Sequence, residues 1–193
     1  MIDAEKASFR VRVHAGFEID LDDPGLVGRL RPFSGISDRE IADLLQALVV
    51  LHPAVVASAT IARDTCAALW SICDNSRVLV LRDGSPIRRN GLMTNTELNW
   101  FGMWIDGIER FSIRMLCGLE LAQCISSILE LIAARQFRDV RHFRFLVPML
   151  RLLNRCDDQD VAEYARSAMA VLSGQEEGLR REPNTGDDNL GSL

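Results

Sequence analysis

Two capping boxes constrain this chain more than any other feature. Ser37-Asp-Arg-Glu40 and Thr94-Asn-Thr-Glu97 each set a hydroxyl three residues before a carboxylate. At that spacing the two side chains satisfy orphan backbone N–H groups reciprocally, and only a helix N-terminus leaves such groups free. Ile36 with Ile41, and Met93 with Leu98, stand at the positions of a hydrophobic staple. The chain is therefore expected to be mainly helical. The first box opens a helix through Leu44, Leu45 and Leu48 that should break near His52-Pro53. A second helix is expected from about Pro53, with Val56, Ala59, Cys66, Leu69, Trp70 and Cys73 inward, stopping at Asp74-Asn75-Ser76. The second box opens a helix carrying Trp100, Phe101, Trp104, Ile105 and Ile108. Further helices are expected over about 119–136, over 138–154 with Pro148 kinking or splitting it, and from Asp157 to Gly174.

Two stretches read instead as β structure. Phe9, Val11, Val13, Ala15, Phe17, Ile19 and Leu21 alternate with mostly polar residues, which is the period of a half-buried strand. Gly16 would mark a hairpin turn or a bulge within it. Asp83-Gly84 follows the apolar run Val78–Leu81 and precedes Ile87, which is a hairpin signal. The expected fold is α+β and predominantly α. It is a helical bundle, or a short HEAT-like stack, of five to six helices with a small antiparallel sheet from the N-terminal strands and a hairpin near 78–89. A length of 193 residues suits one domain with an adequate core. That domain is expected over 1–174, and the polar stretch 175–193 is expected to be a disordered tail.

Three of the expected helices share a spacing. Ala62, Ala122 and Ala165 are each followed seven residues on by leucine (Leu69, Leu129, Leu172) and five on by a small residue (Ala67, Ser127, Ala170). Together with Phe145–Asn154 and Asp160–Leu172 as a helix pair, this pattern resembles HEAT and armadillo repeats, which implies stacked helices. The segment Glu97–Phe111, rich in tryptophan and containing Ile108-Glu109, resembles a helix of small bacterial toxin-immunity proteins. That resemblance implies an inhibitor docking a toxin or effector.

Several function classes are disfavoured. The chain lacks a glycine-rich phosphate loop, a Gly-x-Ser-x-Gly elbow and a His-Glu-x-x-His motif. No catalytic residue, cofactor or metal is therefore expected. The five cysteines are odd in number and lack a Cys-x-x-Cys pair, so they are expected as small buried hydrophobes in a reducing, cytoplasmic setting. His14, His52 and His142 are scattered, with His14 on the wet face of its strand and His52 at a helix end. Glu18, Asp20, Asp22 and Asp23 form a solvated acidic turn, with a divalent cation as the alternative occupant. The apolar stretch 111–129 contains Arg114 and Glu120 and residues 1–9 hold no apolar run, so neither a membrane span nor a secretory signal is expected.

Arginine distribution is the clearest functional signal. Twenty-one of the 22 basic residues are arginine. Arg135, Arg138, Arg141, Arg144, Arg151 and Arg155 fall in one stretch opposed only by Asp139. That stretch is five charges positive on a chain whose net charge is −5, so the remainder carries −10. On a continuous helix Arg141, Arg144, Arg151 and Arg155 would share an arc of about 80°. Arginine's planar fork suits carboxylates, and tryptophan and arginine dominate binding hot spots. Arg138, Arg141, Arg144, Arg151, Arg155, Trp100 and Trp104 are the candidate protein-binding residues. The expected function is a non-enzymatic module docking a partner protein, most concretely an immunity-like inhibitor. The alternatives are an enzyme or small-ligand site assembled from scattered residues, and nucleic-acid binding through the arginine stripe. The overall negative charge disfavours nucleic acid.

Overall fold

The computed structural model describes residues 2–179. Asp3 begins the first helix, its carboxylate accepting the Lys6 N–H at 2.8 Å, and α1 covers Ala4–His14. The expected strand is thus a helix. Its buried residues are Ala7, Val11, Val13 and His14, so a helical face that includes a polar residue replaces the strict alternation. The alternation misled because His14, the polar member, is fully buried, while Phe17, Ile19 and Leu21 are exposed beyond the helix end. Gly16 is neither bulge nor hairpin. It sits at φ +74 just past α1, where the Gly16 N–H donates to Val13 O and the Phe17 N–H to Arg12 O. This is a Schellman ending, which favours glycine because a Cβ is strained there.

A turn leads to the short α2 (Gly25–Arg29). Gly25 has φ +68, and a Cβ there would lie 2.7 Å from Val13 O and 2.8 Å from His14 Cα. The close approach lets the Leu26 N–H donate to His14 Nδ1 at 3.1 Å. Gly25→Ala combines a left-handed strain with a clash against backbone. It should cost about 2–3 kcal/mol in urea denaturation, whereas Gly84→Ala, with open space around it, should cost about 1 kcal/mol from backbone strain alone.

The first capping box forms: Glu40 Oε2 accepts the Ser37 N–H at 2.7 Å and Ser37 Oγ accepts the Arg39 N–H. The helix it opens, α3 (Asp38–Val56), does not break at His52-Pro53. Pro53 is on the exposed side, where water can take the carbonyl it leaves unbonded. His52 is buried, its Nε2 against Leu119 O at 2.9 Å and its ring edge-on to Phe111. The next helix, α4 (Arg63–Ser76), buries Leu69 and Cys73 but leaves Trp70 69% exposed, and Ala59 is also exposed.

The expected hairpin near 78–89 is helical too. Past Ser76 the chain widens into one π-helical stretch, Arg77–Leu81, and turns at Gly84. It then enters α5 (Pro86–Arg89), with Pro86 in its first turn. Ser85 explains the change: its Oγ donates to Val80 O at 2.7 Å and accepts the Arg88 N–H. Proline at a helix start has lost only an N–H that would be orphaned anyway.

The second capping box opens α6 (Asn95–Leu116), as its sequence implies. Phe101, Trp104, Ile105, Ile108 and Phe111 are all fully buried, and α6 packs on α3, α4 and α7 (Leu121–Ala133). Beyond α7, the expected 138–154 helix is split. A 3-10 helix spans Val140–Leu146, and Pro148 lies in the first turn of α8 (Val147–Leu153). The last helix, α9 (Gln159–Leu179), packs on α7 and α8. It is capped by Asp158 rather than Asp157, with the Val161 N–H on Asp158 Oδ1 at 3.1 Å. It also runs past Gly174, so residues 175–179, expected in the tail, are helical; 180–193 lie outside the described residues.

The fold is therefore all-helical. Among the described residues there is no strand and no sheet, only an isolated bridge between Leu30 and Phe33. The three leucines of the shared spacing, Leu69, Leu129 and Leu172, are all buried. Of their small companions, Ala67 and Ala170 are exposed and only Ser127 is buried. Among the described residues no helix is long and apolar enough to cross a membrane.

Candidate protein-docking site

The end of α7 shapes the site. The Arg135 N–H donates to Ile132 O and the Gln136 N–H to Leu131 O, each at 2.9 Å, in the same Schellman geometry as at Gly16. Gly118 serves this role after α6, with φ +76. After α7 the left-handed position is held by Arg135, with φ 54, the one non-glycine residue so placed among the described residues. A Cβ there costs about 1–2 kcal/mol. Strained positions cluster where a side chain must be aimed.

From Arg135 the chain crosses the first turns of α6. Trp104 donates its indole N–H to Gln136 O at 2.6 Å, and its ring stacks on Phe143 with centroids 5.1 Å apart. Asp38, at the start of α3, accepts the backbone N–H groups of both Arg138 and Asp139. Burial pushes the Asp38 carboxyl up from its usual value, against the lowering effect of those two bonds. One indole and one buried carboxylate thus dock the basic segment onto the core.

A cleft of about 320 Å³ lies between this segment and α6, lined by Trp100, Met103, Arg135, Phe137 and Arg138 among others. The Arg138 guanidinium lies 4.8 Å from the Trp100 ring centroid and reaches Glu97 at 3.2 Å. The Glu97 carboxyl is held below its usual value, chiefly by the Thr94 N–H and hydroxyl of its own capping box. Trp100 is 6% exposed, and its indole N–H meets no acceptor among the described residues. Among the described residues Arg135 makes no ion pair there, and Met103 is 37% exposed.

The sequence-nominated residues separate into distinct groups. Trp104 belongs to the core and offers no docking surface, because stacking and its hydrogen bond consume both faces of its chemistry. Trp100 and Arg138 meet at the cleft. Arg141 is exposed and tied to its neighbour Asp139 at 2.7 Å, which holds the Asp139 carboxyl down at about 2. The 80° arc does not exist, because the helix it assumed is interrupted at Pro148. Arg141 and Arg144 instead share one face of the 3-10 helix, where residues three apart eclipse. Arg151 is exposed on α8, and Arg155 lies just beyond its end. Sequence reading missed Met103, Phe137 and the docking carboxylate Asp38. It placed Arg135 in the basic stretch without seeing its conformation, although Ala133-Ala134-Arg135 ends a helix with no glycine to close it.

A second cleft, of about 390 Å³, is lined by Arg10, Asp22, Arg39, Asp43 and His142 among others. Here Asp20 and Asp23 of the acidic turn are answered by arginine, while Glu18 and Asp22 are exposed. Arg10 donates to Asp20 at 2.8 Å, to Asp23 at 3.1 Å and through Nε to Asp43 at 2.9 Å. His14, with Nδ1 accepting from Leu26, donates from Nε2 to Asp43 at 2.9 Å. Burial alone would raise the Asp43 carboxyl; hydrogen bonds from His14 and Arg10 outweigh it and hold it at about 2. Among the described residues no set of three or more His, Cys, Asp or Glu is arranged to hold a metal ion. The five cysteines are free thiols; Cys73 and Cys124 are buried, their thiols pushed up to about 12 and about 11, while Cys117 is exposed.

No family model, curated protein or solved structure matches this chain.

Proposed function

We propose that this chain is a protein-docking module whose basic cleft receives an acidic, partly apolar segment of a partner protein. The carrying observation is Arg135, kept in a strained left-handed conformation at the rim of a cleft floored by Trp100 and Met103. A partner carboxylate between Arg135 and Arg138 would gain charge-assisted hydrogen bonds. An apolar side chain would cover Met103 and Phe137. Exposed Arg141, Arg144, Arg151 and Arg155 would add long-range attraction and a faster approach, more than affinity. The most concrete form of this reading is an inhibitor covering the acidic working surface of a toxin or effector.

Arg135→Gly separates docking from folding. Relief of the left-handed strain should stabilise the protein by about 0.5–1 kcal/mol. Binding of a synthetic peptide alternating Asp and Leu, followed by calorimetry, should weaken several-fold in the same variant. Arg135→Glu with Arg138→Glu should abolish binding, and the wild-type affinity should fall with added salt. Binding unchanged in the double variant would overturn the proposal.

A further inference from the structure

The segment after α1, Phe17-Glu18-Ile19-Asp20-Leu21-Asp22-Asp23, has the composition that the basic cleft calls for. Its polar edge is partly turned to the body. Asp20 and Asp23 bind Arg10, and Glu18 reaches Arg12 at 3.4 Å. Its apolar edge is turned out, with Phe17 50%, Ile19 84% and Leu21 95% exposed. Soluble monomers seldom leave such a run of large side chains uncovered unless it meets another surface. Two carboxylates remain available beside it: Asp22 is exposed without an ion pair among the described residues, and the Glu18 side chain is 44% exposed.

We propose that residues 17–23 of one copy seat in the basic cleft of a second copy, and the reverse, forming a two-fold dimer. This rests on the reading that the cleft takes acidic-apolar segments, and it names a second copy of the chain as an occupant. Charge complementarity selects that occupant: the outward carboxylates Glu18 and Asp22 would face Arg135 and Arg138, with Ile19 or Leu21 against Met103 and Phe137. The placement of the two surfaces suits reciprocity. Asp22 of the acidic segment and His142, four residues beyond Arg138, line one and the same cleft, on a face the segment shares with the 3-10 helix that follows the basic cleft in the chain. A two-fold axis through that face lets each surface meet its complement at once, the arrangement of an isologous contact.

The test is sedimentation of the full chain over a concentration series reaching about 100 µM, the range of a small transient interface. Wild type should shift from one chain mass toward two as concentration rises, and less so at high salt. Phe17→Ser, Ile19→Ser and Leu21→Ser combined should remain one chain in mass, and so should Arg135→Glu with Arg138→Glu. These side chains are exposed or at the cleft rim, and far-UV circular dichroism confirms that each variant is folded. An equimolar mixture of the two variants should associate more than either alone but less than wild type, since only one of the two reciprocal contacts is then intact. A wild type that stays at one chain mass, or a segment variant that pairs as wild type does, overturns the dimer. If the Asp-Leu peptide still binds a chain that stays monomeric, self-pairing falls and the docking reading stands; if the peptide also fails, both fall.

Discussion

Trp104→Ala should unfold this protein at a temperature about 10 °C lower than wild type, a loss of roughly 3–5 kcal/mol. The side chain is fully buried at the centre of α6 and stacked on Phe143. Its removal leaves a cavity that the surrounding helices can fill only partly. It also strips the Gln136 carbonyl of its donor. Trp104→Phe keeps an aromatic ring but loses that donor, and should cost about 1–2 kcal/mol beyond the change in volume. Because Gln136 lies between Arg135 and Arg138, Trp104→Phe should also weaken acidic-peptide binding while the protein remains folded. Thermal and urea denaturation with a peptide titration check both effects. A Trp104→Ala cost below about 1 kcal/mol would contradict the placement of this residue in the core.

The second large effect belongs to Asp43. Asp43→Ala leaves fully buried His14 without its acceptor and mostly buried Arg10 with Asp20 and Asp23 alone, which should cost about 2–3 kcal/mol. The wild-type carboxyl is held at about 2, below its ordinary 3.8. A carboxyl whose folded value is depressed stabilises the protein above its unfolded value and stops doing so as pH falls through its folded one. The Asp43 contribution should therefore be complete above about pH 4 and disappear on descent to about pH 2. Asp23, also held down, acts in the same direction, while Asp38, held up by burial, acts in the opposite one. Urea denaturation between those pH values should show a steep acid limb in wild type and a shallower one in Asp43→Asn. An identical limb in both would remove Asp43 as its source.

Much of the helical framework is legible in the sequence. Both capping boxes open helices where their spacing placed them, and Pro148 divides the segment in which it lies. These features are local, because a cap and a proline act within one turn of backbone. The two β expectations failed for a reason that is not local. Period two between residues 9 and 21 assumed that polar residues face water. His14 instead points inward to Asp43, almost thirty residues away, and the apolar residues after Gly16 point outward. Near Gly84 a hairpin and a helix-to-helix turn use the same residues, and the Ser85 bonds to Val80 and Arg88 decide between them.

The candidate site divides along the same line. The sequence by itself determined that positive charge concentrates between Arg135 and Arg155, since composition needs no fold. It also placed Trp100 and Trp104 on one helix. Only the tertiary structure decided that Trp104 serves the core, while Trp100 meets Arg138 across a cleft. It also decided that an arginine, not a glycine, closes α7. Helix starts follow from side chains within a few residues. Which side chains share a cleft depends on contacts such as Asp38 with Arg138, a hundred residues apart, and no local pattern encodes that distance.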